Sequence, residues 1–234
     1  MKIGIMQPYL FPYIGYYQLI NAVDKFVVYD NIQFTKKGWI NRNRILVNGK
    51  AEYITWPLKK DADLLNVNER SLAASFKDDK LKLIRKITGA YSKAPQFSHI
   101  FPLLESVINY SEENLFPYIL YSLQATCSYL DIKTQLVISS TLPVDHNLRS
   151  QDKVISICKA LGASEYINAA GGIELYSKAD FEQNDIQLNF IKSTDVEYTQ
   201  FSDQFVPWLS IIDVLMFNPK EKVQQYVQSC YTIL

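Results

Sequence analysis

Residues 1–30 read MKIGIMQPYLFPYIGYYQLINAVDKFVVYD. The apolar run at residues 3–6 predicts a short buried strand, residues 13–23 a helix, and residues 26–29 a second strand. Strand, helix and strand joined this tightly build a parallel sheet. The loop between Gln7 and Gly15 carries Pro8 and Pro12, which restrict the backbone, and three large aromatics. In open α/β sheets ligands bind beyond the carboxyl ends of the strands. Gln7 and Tyr9 after the first strand, and Asp30, Asn31 and Gln33 after the second, are therefore candidate site residues. The competing reading of Asp30-Asn31 is ordinary turn chemistry.

The next stretch, KKGWINRNR, sets Lys37, Trp39, Asn41, Arg42, Asn43 and Arg44 close together. On an extended chain, alternation places Asn41 and Asn43 on one side and Arg42 and Arg44 on the other. An arginine pair suits a diphosphate, and Trp39 or Tyr9 could stack on a base or sugar ring. An edge strand defended by charge is the alternative. Asn48-Gly49, flanked by residues 45–47 and 53–55, predicts a β-hairpin.

Residues 59–132 read as mostly helical, an insertion between the second and third strands of the sheet. His99 falls in one of these helices and is the better acid–base candidate of the two histidines on sequence alone. The α/β pattern returns at 134–192. A strand at 135–138 ends in Ser139-Ser140, hydroxyls placed where a phosphate or sugar would sit. A helix at 152–161 stops at Gly162. A strand at 165–168 leads to Gly171-Gly172, where backbone can approach a ligand closely, then come a helix at 174–182 and a strand at 186–191. Tyr198 and Gln200 belong to a polar stretch before a helix at 209–217. There Asp213 sits in an apolar run, either a structural anchor or a base. A last helix is expected at 220–231. The alternation predicts a mostly parallel, Rossmann-like α/β sheet with a β-hairpin and a helical insertion at about 59–132, all in a single domain, 1–234.

Of the 234 residues, 24 are basic and 24 acidic, so the formal net charge is zero. That balance argues against broad nucleic-acid binding. Three cysteines lack metal-type spacing, and no metal or cofactor is indicated. No apolar run is long enough to span a membrane, and Met1-Lys2 runs straight into a strand without a signal-peptide pattern, so a cytoplasmic protein is expected. There is no P-loop, dinucleotide fingerprint, HExxH or GxSxG.

The stretches QPYLFPYIGYY, DNIQF and KKGWINRNR resemble the signature of the WbqC-like family. Ser139-Ser140, ICKALGASEYI, Gly171-Gly172 with Tyr176, and YTQ followed by LSIIDVLMFN extend the resemblance along most of the chain. That family's pattern usually has a histidine before the Gln-Pro, where this chain has Met6. The resemblance implies a role in gene clusters for O-antigen and other bacterial surface polysaccharides, lipopolysaccharide among them. Within that context the expected function is a transferase moving an acyl or aminoacyl group to a nucleotide-linked amino sugar. Asp30 is the first choice of base, and His99 and Asp213 are further catalytic candidates. The expected partner is a nucleotide sugar or sugar phosphate, and the aromatic content is compatible with a homodimer. One alternative is a non-catalytic sugar- or partner-binding protein of the same pathway. Another is a nucleotidyltransferase, since the first strand–helix–strand unit is similar to the fold of pantothenate synthetase, whose catalytic histidine pair has no counterpart here.

Overall fold

A computed structural model of the chain describes every residue except Asp203. Its centre is a six-stranded sheet. β1 is Lys2–Met6, β2 Lys25–Val28, β5 Gln135–Ile138, β6 Glu165–Ala169, β7 Gln187–Ser193 and β8 Tyr231–Ile233. The strand order is β5-β2-β1-β6-β7-β8. The first five in that order run parallel, and β8 pairs antiparallel with β7 at the edge. β3 (Arg42–Val47) and β4 (Lys50–Thr55) form a separate antiparallel hairpin. Asn48 and Gly49 both take left-handed backbone, φ 49° and 73°, as a type I′ turn demands. The mostly parallel α/β architecture with its hairpin is the one the sequence predicts.

The strands alternate as a buried pleat must. Ile3, Ile5, Val27, Tyr166, Leu188 and Phe190 face one apolar cluster; Phe26, Val28, Ile167 and Ile191 face the other. α1 (Ile14–Asn21) joins β1 to β2 on the second face. It packs so close that a Cβ on Gly4 would stand 3.3 Å from Leu19 and Phe26. Behind it lies α8 (Lys220–Ser229). Buried Gln18 donates to the carbonyls of Tyr226 and Cys230, which also accept the Cys230 and Thr194 N–H groups, and so ties α1 to the end of α8. α5 (Ser150–Ala160) and α6 (Lys178–Glu182) cover the opposite face. Gly162, φ 66°, ends α5 with its N–H on the Lys159 carbonyl, a left-handed stop.

Between β2 and β5 the chain makes the hairpin and three helices, α2 (Phe76–Tyr91), α3 (Phe97–Ile108) and α4 (Leu115–Tyr129). Two local expectations differ. Residues 170–175 form 3₁₀ turns before α6, because two glycines and no cap favour tight turns over a regular helix. The last helix ends at Ser229, and three residues then add β8 to the sheet edge. No helix among the described residues is long and apolar enough to cross a membrane.

Asp213 ties the helices to the hairpin. It lies fully buried in α7 (Ile211–Phe217). Oδ1 accepts from the Tyr91 hydroxyl at 2.7 Å, and Oδ2 accepts from the Tyr198 hydroxyl and Gln200 Nε2, each at 2.7 Å. The Tyr91 oxygen also accepts from the Leu46 N–H of β3. Tyr91→Phe leaves a carboxylate oxygen and an amide unpaired in the core. It should cost about 1–3 kcal/mol in urea denaturation; a loss below about 0.5 kcal/mol would remove the anchor role.

Burial raises the Asp213 pKa, and the three donors oppose it only in part. A folded-state pKa above the unfolded value means the protonated form favours folding. That contribution is complete below the unfolded-state value and is lost as pH rises through the raised one. The stability of the wild type minus that of Asp213→Asn should therefore decline from acid toward neutral pH. A difference that rises over that range would show the carboxylate to be depressed instead.

Candidate functional site

The sheet changes winding direction at β1: the chain leaves it for β2 on one side, and β6 later enters on the other. Such a switch point leaves a crevice at the carboxyl ends of the strands. A cleft of about 420 Å³ opens there, on the α1 side, bordered by the ends of β1, β6 and β7. Met6, Leu19 and Ile191 supply aliphatic lining, and Tyr9, Tyr13, Tyr16, Trp39 and Trp208 supply aromatic rings. Ala169, Ala170 and Gly171 bring bare backbone to the same wall.

Two cleft-side loops hold strained backbone. Phe11 has φ 42° and Trp208 φ 60°, a region that bulky side chains avoid. The pair Asn43-Arg44 of β3 braces both. Buried Asn43 donates from Nδ2 to the carbonyls of Leu10 (3.2 Å) and Phe11 (2.8 Å). Arg44 donates from Nη2 to the Trp208 carbonyl at 2.9 Å, and its own carbonyl accepts the Ser210 N–H. The Ser210 hydroxyl closes the ring of contacts on the Phe11 carbonyl at 2.7 Å. Trp208 thus stands 58 % exposed beside the cleft, its ring 5.1 Å from Tyr13.

Lys192 is part of the lining of this space, and two further positive features border it. α1 begins at Tyr13 without a side-chain cap, and the N–H groups of Ile14 and Gly15 meet no acceptor among the described residues. Arg44 keeps a buried Nε that is likewise unpartnered, while its guanidinium lies 5.4 Å over the Trp39 ring. Both favour an anionic group. Burial raises the pKa of Tyr9, Tyr13 and Tyr16, so these hydroxyls stay neutral and act as hydrogen-bond donors. Among the described residues, none that lines the cleft is a carboxylate or an imidazole.

A polar group stands beside the cleft, beyond β2 and β5. Asp30, 1 % exposed, accepts the Ser140 N–H on Oδ1, and on Oδ2 the Ser140 hydroxyl (2.6 Å) and Asn68 Nδ2 (2.9 Å). Ser139 is fully buried with an unpartnered Oγ. Asn31 Nδ2 stands 2.8 Å from His146 Nδ1, which is also 2.9 Å from the Lys153 ammonium.

The predicted site residues thus fall into groups. Tyr9, Trp39, Asn43, Arg44 and Gly171 border the cleft. Gln7 sits next to it, its carbonyl accepting from Tyr16 and its Oε1 from Tyr9. Asp30, Asn31, Ser139 and Ser140 gather beyond β2 and β5. Arg42 lies outside the cleft lining: it donates to the Lys37 and Gly38 carbonyls and covers the Tyr53 ring at 4.5 Å. Asn41 donates to the Trp56 carbonyl, Gln33 pairs with Asn66, and Lys37 is an exposed turn residue with φ 62°. Gly172 packs against the Asn168 side chain. Tyr198 and Gln200 serve Asp213. His99 lies on the exposed face of α3 and does not border the cleft. Sequence reasoning missed Trp208, His146 and Lys153. Pro207-Trp208 after a polar loop was the visible signal for the first. A histidine in the loop entering a helix, seven residues before a lysine on that helix, was the signal for the others.

A family model described as the WbqC-like protein family matches residues 7–225. The chain belongs to the WbqC-like family. A protein of Mycobacterium tuberculosis (strain ATCC 25618 / H37Rv) described as uncharacterized protein Rv1507c is 29% identical over 235 residues, covering 98% of each chain. No solved structure matches. The match to the WbqC-like model takes in the aromatic loop, the Asn43-Arg44 pair and Trp208.

Asn43→Ala would leave the Leu10 carbonyl and the Arg44 N–H without their side-chain partner. The expected cost is about 1–3 kcal/mol in urea denaturation, with an unchanged m-value. Stability within about 0.5 kcal/mol of wild type would show that the loop holds itself.

Proposed function

We propose that this WbqC-like chain is an enzyme of bacterial surface-polysaccharide (O-antigen) assembly that transfers an acyl or aminoacyl group to a nucleotide-linked amino sugar. The observation that carries this reading is the cleft at the switch point. Aromatic walls, the uncapped start of α1, Arg44 and Lys192 stand together there. Stacking suits a base or sugar ring, and the amides and guanidinium suit a phosphate. Neutral tyrosine hydroxyls suit sugar hydroxyls.

In the transfer itself, the sugar amine attacks the carbonyl carbon of an activated acyl donor. A C–N bond forms, the bond to the donor's leaving group breaks, and the amine's surplus proton must leave. Asp30, bonded to Ser140 at 2.6 Å, is the proton acceptor in this reading. Arg44 and the α1 amides position the phosphate, and Trp208 and Tyr13 fix the ring, so most of the rate gain would come from orientation.

A second reading is a non-catalytic sugar-binding role in the same pathway. It draws support from the absence of any carboxylate or imidazole among the described residues that line the cleft. Nucleotide-linked amino sugars should raise the melting temperature of the chain by mass action. Trp208→Ala should weaken that binding about tenfold or more, the equivalent of a stacking loss of ~1–3 kcal/mol. Unchanged affinity in that variant would sink the cleft assignment. Turnover with acyl donors, abolished in Asp30→Asn, separates the enzyme from the binding protein; binding without turnover would leave the second reading standing.

A further inference from the structure

Lys153 is 1 % exposed, yet no carboxylate among the described residues lies within ion-pair distance of it. Its ammonium donates to the Asp145 main-chain carbonyl at 2.9 Å and to His146 Nδ1 at 2.9 Å, both neutral acceptors. A buried charge bonded only to neutral groups is costly. Its position adds to the cost. Lys153 stands in the first turn of α5, at the positive end of the helix dipole. The residue preceding that helix, Arg149, supplies no side-chain cap, and the N–H groups of Gln151 and Asp152 have no acceptor among the described residues. Arg149 itself is exposed. Of the nearby acids, Asp145 acts on Lys153 from beyond ion-pair distance while its carboxylate accepts the Asn147 N–H, and Asp152 is exposed and makes no ion pair.

His146 is locked by the same contacts. An ammonium has no lone pair to offer, so Nδ1 must accept and the ring proton belongs on Nε2. Asn31 Nδ2 reinforces this at 2.8 Å, leaving its Oδ1 buried and unpartnered. The exposed imidazole therefore presents a fixed N–H donor, which has no acceptor among the described residues.

We propose that His146, Arg149 and the first-turn amides of α5 form a binding site for a carboxylate or phosphate group, with Lys153 as the positioning residue that sets the His146 tautomer and supplies buried positive charge. The site lies beyond β2 and β5, outside the aromatic cleft, and its assignment does not depend on what the cleft binds. An anion there adds to the partial counter-charge that Asp145 gives Lys153. Two groups at neighbouring strand ends, one for a ring and one for an anion, suit a reaction that brings two substrates together.

Side-chain and amide ¹⁵N NMR of the full chain tests this, with titrations of inorganic phosphate and, separately, acetate. The expected result is an Nε2–H tautomer for His146 at neutral pH. The His146 Nε2 and the Gln151 and Asp152 amide signals should shift saturably with one of the two anions. The double variant His146→Gln, Arg149→Ala, changed at two exposed positions, should weaken that binding at least tenfold, whereas Trp208→Ala should titrate as wild type. A stronger response to phosphate assigns a phosphorylated ligand, and a stronger response to acetate a carboxylate. An Nδ1–H tautomer, shifts that never saturate, or a double variant that binds like wild type would each overturn the proposal.

Discussion

The Asn43 side chain is the contact on which the cleft depends. Two loops far apart in sequence, 7–13 and 204–210, must both turn sharply with aromatic residues at positive φ. Neither conformation is stable for such residues by itself. Asn43 Nδ2 takes the carbonyls that the first turn exposes, Arg44 takes the carbonyl of the second, and Ser210 joins the two. Because Asn43 is 4 % exposed, these bonds do not compete with water. The hairpin therefore acts as a fixed bar against which both walls are set, although it shares no strand pairing with the main sheet.

A second bar holds the hairpin. Tyr91 bonds at once to Leu46 of β3 and to Asp213, and Asp213 gathers Tyr198 and Gln200 from the segment leading to Trp208. The helices between β2 and β5 thus reach the cleft through its supports and need not touch its lining. A buried carboxylate with three donors and a raised pKa is expensive for stability alone. Its return is geometric: α2, β3 and the Trp208 loop are fixed relative to one another.

Much of the fold was legible because it rests on local pattern. Apolar runs of the right length marked all the parallel strands, Asn48-Gly49 marked the hairpin and Gly162 the end of α5. β8 was not legible: three residues with no alternation pair only because β7 leaves an open edge. The site was legible by class of position more than by role. The rule about strand ends picked out Asp30, Ser140 and Gly171 correctly as strand-end residues. Alternation in KKGWINRNR grouped Arg42 with Arg44, but it could not show that Arg42 is spent on the carbonyls of its own turn. Asn43 looked like a ligand contact because a polar residue amid aromatics has the same signature whether it binds a substrate or a backbone carbonyl. His99 outranked His146 because helical context is visible in sequence, whereas the meeting of a loop histidine with a buried lysine is not.

Strand order then explains why polar and aromatic groups occupy adjacent but separate ground. β1 is the pivot: β2 and β5 lie to one side, β6 and β7 to the other. α1 crosses on one face and α5 on the opposite one, so their N-termini approach the same edge of the sheet from different faces. α1 opens among the rings set by Asn43 and Arg44. α5 opens beside His146 and Lys153, with Asp30 and Ser140 at the strand ends. A parallel sheet wound in both directions from β1 places two helix N-termini at one edge as a consequence of topology. What this sequence adds is the choice of neighbours: aromatic rings and an arginine at the first, and a buried lysine with no carboxylate in ion-pair contact among the described residues at the second.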